Sequence, residues 1–127
     1  MQKLLITTAI IESGTGLILI FFPSVIAALL FGSSLDSPVA LTVARVAGVA
    51  LISLGTACWM GRNETQGKAV KGLVTAMTVY NIGVIAVLLY AGIVLGLSGI
   101  GLWPVVLVHI AMTVWCILSL LKNHSHQ

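Results

Sequence analysis

Long apolar runs separated by short polar breaks set the architecture of this chain. The runs cover about residues 3–22, 38–60, 68–91 and 102–121. At ~1.5 Å rise per helical residue, each is long enough for the ~30 Å hydrocarbon core of a bilayer, so four membrane-crossing helices are predicted. Pro23 ends the first, because the residue before a proline is pushed out of helical geometry. Ser24 to Gly32, SVIAALLFG, reaches only ~13 Å as a helix and cannot cross, so it is expected as a short interfacial helix closed by Gly32. Ser33, Ser34 and Asp36 place the following turn in water. Ser37 is a side-chain cap for the second span, with Pro38 in the first turn, where its missing N–H is not needed. RNETQGK, from Arg62 to Lys68, is the most polar stretch of the chain. Glycines at 92, 96, 99 and 101 break the third run, which has room to extend to Leu95, and the fourth opens with Trp103 and Pro104. The expected fold is all-α, an integral membrane four-helix bundle with a short interfacial helix between helices one and two. It forms a single domain over residues 1–127 with a polar cytoplasmic tail at 122–127.

Composition agrees with that pattern and excludes other classes. Hydrophobic residues make up 59% of the chain and charged ones 7%, and the mean hydropathy is +1.16, far from the balance of a water-soluble domain. Four spans and their connections use the whole length, which leaves no room for a soluble catalytic domain. The net charge of +3 comes from basic residues scattered at span boundaries without an aromatic-interleaved patch, so nucleic acid is not an expected partner. Lys3, Arg62, Lys68, Lys71 and Lys122 all fall at one end of the predicted helices. The positive-inside rule then puts both termini and the middle loop in the cytoplasm, with the 23–37 segment and the glycine-rich turn outside. No A-x-A-like cleavage site follows the first run, which is expected to be retained as a span. Cys58 and Cys116 lack the CxxC spacing of a redox pair or zinc site and read as small packing residues.

Each predicted span carries one buried polar residue: Glu12, Arg45, Asn81 and His109. Taking each helix centre as the midplane, Glu12 and Asn81 are central, His109 is about two residues to the outer side and Arg45 about four, near ~6 Å. Side chains of this kind within a span usually mark a partner, a pathway or a cavity. Thr8, Thr78, Tyr80 and Thr113 are supporting groups near the same level. Small and polar residues share faces at helical spacing: Thr8, Glu12, Thr15 and Gly16 on the first span, and Arg45, Gly48, Ile52 and Gly55 on the second. Bland readings stand beside the functional one. Asparagine in a span serves as helix-to-helix glue, a lone histidine as a satisfied interior residue, and Glu12 with Arg45 as a structural ion pair.

Three functions fit this cluster. Glu12 and His109 could exchange protons while Arg45 holds an anion, so that the chain binds or transports a small polar solute, ion or proton. Alternatively the chain is a non-catalytic accessory subunit of a membrane complex, binding a quinone or lipid. An intramembrane enzyme is the weakest reading, because no metal quartet, nucleophile-plus-base pair or cofactor motif is present. One in-span histidine falls short of the two axial ligands of a b-type haem, and the HxH at His124 and His126 reads as a solvated tail. No catalytic residue, metal or cofactor is assigned. The expected partners are the lipid bilayer and either further copies of the chain or a partner membrane subunit.

The sequence A-R-V-A-G at Ala44 to Gly48, with L-G at Leu54 and Gly55 after an interfacial apolar segment, resembles the small four-helix DoxX-like bacterial membrane proteins over the first two spans. That resemblance implies a compact four-span protein, and the expected location is the cell inner membrane. Some such relatives are small subunits of membrane redox complexes, which adds weight to the accessory reading. It assigns no site residue.

Overall fold

The computed structural model describes residues 1–64 and 67–124, and its regular structure there is entirely helical. Helix α1 runs Gln2–Phe21, α2 Pro23–Phe31, α3 Pro38–Gly61, α4 Lys68–Leu89 and α5 Leu102–His124. A π-helical turn, Tyr90–Val94, prolongs α4, with the Leu95 N–H donating to the Tyr90 carbonyl at 3.2 Å. Four helices are long and apolar enough to cross a membrane: Gln2–Phe21, Pro38–Gly61, Lys68–Val94 and Leu102–Lys122. α5 continues past the expected stop at Leu121 to His124, with no glycine or proline among residues 122–124 to break it. Residues 125–127, including His126 of the HxH pair, lie outside the described residues.

Local chemistry accounts for the breaks. The Ser37 hydroxyl oxygen accepts the Ala40 N–H at 3.0 Å, and Pro38 takes the first turn of α3. Gly32 closes α2 in the left-handed region, at φ 74°, where a side chain would be strained. The glycine-rich connection before α5 completes α2. Gly99 and Gly101 donate their N–H groups to the Leu30 and Leu29 carbonyls at 3.0 and 2.7 Å, satisfying acceptors that the end of a helix leaves open. That approach requires glycine at 99, since a Cβ there would overlap the Leu29 carbonyl.

The long helices associate in two close pairs, α1 with α3 and α4 with α5. In the first pair the backbones nearly touch. A Cβ at Gly16 would stand 2.6 Å from the Gly48 carbonyl oxygen, and one at Gly48 would stand 2.7 Å from that of Gly16. Small residues permit this approach, which dispersion then rewards without any hydrophobic drive from lipid. Two apolar layers hold the helices together, the first joining the two pairs and the second seating α2 on α4 and α5. One, toward the basic end, contains Leu4, Leu5, Val74, Met77, Met112 and both cysteines. The other is formed by Leu88, Leu102 and Val106, with Leu30 and Phe31 packed against it.

Candidate functional site

Between those layers, three polar side chains from three helices meet. Glu12 is 5% exposed on the inner face of α1, between Thr8 and Gly16, which are also buried. From α4, the Tyr80 hydroxyl donates to Glu12 Oε2 at 3.4 Å, a long contact for an O–H···O bond. The imidazole of His109, from α5, lies beside the Tyr80 ring, centroids 6.1 Å apart and tilted by 55°. Glu12, Tyr80 and His109 thus form a chain of contacts linking the two helix pairs.

The hydrogen bonding of each member defines what it has left to offer. His109 Nδ1 lies 2.8 Å from the Val105 carbonyl, which can only accept, so the proton sits on Nδ1. Nε2 is then the nitrogen available to a ligand. Glu12 has no cation partner among the described residues, and Tyr80 is its hydrogen-bond donor. Thr8, one turn along α1 and 1% exposed, has a hydroxyl oxygen with no hydrogen-bond partner among the described residues. Buried polar groups are nearly always satisfied, which makes an orphan hydroxyl one turn from an under-satisfied carboxyl a feature of the site.

Other expected members are placed differently. Asn81 is buried, but its side-chain amide donates to the Met77 carbonyl of its own helix at 2.7 Å. Thr78 and Thr113 bond back in the same way, to the carbonyls of Val74 at 2.9 Å and His109 at 2.8 Å. Arg45 does not join this cluster. It is exposed, and its Nε donates to the Ile20 carbonyl at 3.2 Å, in the last turn of α1. The antiparallel register explains the displacement: Gln2 meets Asn63, Gly16 meets Gly48 and Ile20 meets Arg45. α3, with 24 residues against 20 in α1, overhangs its partner at the Pro38 end, so its own midpoint is not level with that of α1. Ile20 is eight residues from Glu12, which puts Arg45 ~12 Å away along the helix axis, about twice the ~6 Å offset expected. An ion pair between Glu12 and Arg45 is therefore absent, and Arg45 instead neutralises the carbonyl end of α1.

Arg62 does the same at the other end of α3. Its guanidinium donates to the Trp59 carbonyl at 2.5 Å and lies over the Trp59 ring at 4.1 Å, a cation–π contact. Tyr80 is the residue whose importance the sequence understated, since it supplies the bridge between Glu12 and His109. The available signal was its place one residue before Asn81, where a tyrosine hydroxyl can reach across a helix interface that a shorter side chain cannot span.

Fold and site together define an all-helical chain with four helices able to cross a membrane and a buried acid–phenol–imidazole contact between them. Comparison with protein-family models, curated proteins and solved structures finds no match to this chain.

Proposed function

We propose that this chain is a small multi-pass protein of the cell inner membrane that binds a small hydrogen-bonding species, a proton or a small polar solute, at Glu12, Tyr80 and His109, and exchanges it across the bilayer. In this reading the helices form a four-span bundle with both termini cytoplasmic, the orientation favoured by the basic residues at one end, and α2 lies along the opposite interface. The observation that carries the proposal is the set of under-satisfied polar atoms in the interior. Glu12 has one long hydrogen bond, Thr8 has an unpartnered hydroxyl, and His109 keeps Nε2 available. Ionisable groups at such depth are costly, about 2.5–3.5 kcal/mol on insertion scales for an acidic residue, and commonly serve ion or proton pathways. Reconstitution into vesicles with a panel of protons, ions and small amphipathic solutes tests it. Flux is expected from the parent and absent from Glu12→Gln, while Arg45→Gln, which lies outside the site, retains it. A folded parent that moves none of them would overturn the exchange reading.

A second reading, a non-catalytic accessory subunit, is favoured by α3. Within its most apolar 18-residue stretch only 11% of the residues are buried, against 33% for α1. Its outward stripe carries Ala50, Ser53 and Ala57, small enough for another membrane helix to pack against. Disulfide trapping of Ser53→Cys in native membranes as one defined larger species, together with no flux from the parent, would establish this alternative.

A further inference from the structure

We infer that Arg45 is a phosphate-binding residue for a phospholipid of the leaflet opposite the basic loop, separate from the interior polar site. The guanidinium is exposed on a membrane-spanning helix and spends Nε on the Ile20 carbonyl. That bond ties the base of the side chain to the end of α1 and leaves the terminal Nη groups with no acceptor among the described residues. A guanidinium keeps its charge, and its paired N–H groups match the spacing of phosphate oxygens.

Depth selects the occupant. Ile20 is one residue from the end of α1, where Phe21 and Phe22 are exposed. Arg45 thus sits within about one helical turn, ~5 Å, of the end of α1 and seven residues, ~10 Å, inside the Pro38 start of α3, its side chain held against the last turn of α1 and free to snorkel toward that end. No carboxylate stands on that stretch of the surface: the acidic residues are Glu12, in the interior, Asp36, beyond the start of α3, and Glu64, at the basic end. A soluble anion would have to shed its water at the lipid edge, whereas a phosphodiester is already anchored at that height by its own acyl chains. The flanking surface, Leu17, Val46 and Val49, is exposed and apolar, as contact with those chains requires.

The test uses the purified full chain, delipidated in detergent and examined by native mass spectrometry with dimyristoyl-phosphatidylglycerol, dimyristoylglycerol or inorganic phosphate. The parent is expected to retain phosphatidylglycerol and neither of the other two. Arg45→Gln is expected to weaken that binding roughly tenfold or more, as removal of charge-assisted hydrogen bonds does. Arg45→Lys, which keeps the charge and loses the paired donors, should fall between the two and also guards against a Gln variant that fails to fold. Arg62→Gln should behave as the parent. Equal retention by parent and Arg45→Gln would overturn the assignment, as would an equal loss in Arg62→Gln. Retention of inorganic phosphate as tight as that of phosphatidylglycerol would overturn the lipid as its source.

Discussion

At the scale of single residues, the contact between Glu12 and Tyr80 is more informative by its weakness than by its existence. At 3.4 Å the hydroxyl barely reaches the carboxyl, and hydrogen bonds between membrane helices average about 0.6 kcal/mol in double-mutant cycles. Combining Glu12→Gln with Tyr80→Phe should therefore give a coupling energy below about 1 kcal/mol, read from unfolding by denaturing detergent in mixed micelles. Coupling of several kcal/mol would make this pair a structural clamp rather than a site waiting for a ligand. The sequence made Glu12 and His109 legible because helical rise converts position into depth. It misplaced Arg45 for a reason equally physical: counting from each helix's midpoint assumes that neighbours are centred on one another, and α3 is longer than α1 and displaced along it. Asn81 was harder to assign, since an amide can always turn back to its own helix, and whether it does depends on neighbours that no spacing rule encodes.

At the scale of elements, the α1–α3 pair depends on the two glycines whose backbones meet. Gly48→Ala would push a methyl against the Gly16 carbonyl and force the helices apart, with an expected loss of about 1–3 kcal/mol, as overpacking typically causes. Gly14 supplies the control: a Cβ there meets nothing within 4 Å, so Gly14→Ala should leave stability unchanged or raise it through helix propensity. The same detergent-unfolding assay checks both, and equal responses would remove the case for close packing. The glycine-rich connection can be tested likewise. Gly99→Ala must break its contact with Leu29 and Leu30, so α2 should lose protection of its last turn in hydrogen exchange while α1 and α3 keep theirs. Apolar run lengths, Ser37, Pro38 and Gly32 were enough to place the start of α3 and the end of α2, but not the ends of the third and fourth long helices, which run past the expected stops. What the loop glycines do for α2 was not readable, because their partners are carbonyls some 70 residues earlier in the chain.

At the scale of the whole molecule, charge placement predicts how the chain sits in a bilayer. Lys3, Arg62, Lys68 and Lys71 cluster at one end, and Arg45 is the only Lys or Arg toward the other. Because positive loops resist translocation, the end bearing the Arg62–Lys68 connection should stay cytoplasmic and the turn between α2 and α3 should face outside. The two native thiols, Cys58 and Cys116, are both fully buried, which gives a quiet background for labelling. A thiol introduced as Ser34→Cys should therefore react with a membrane-impermeant maleimide in intact cells, whereas Asn63→Cys should react only after permeabilisation. The reverse pattern would invert the orientation and move the Arg45 lipid contact to the cytoplasmic leaflet. Labelling of both positions in intact cells would mean that the chain inserts in two orientations. Removing the charges of Lys68 and Lys71 should push the parent toward that mixed state, since the loop would then retain little to hold it on one side.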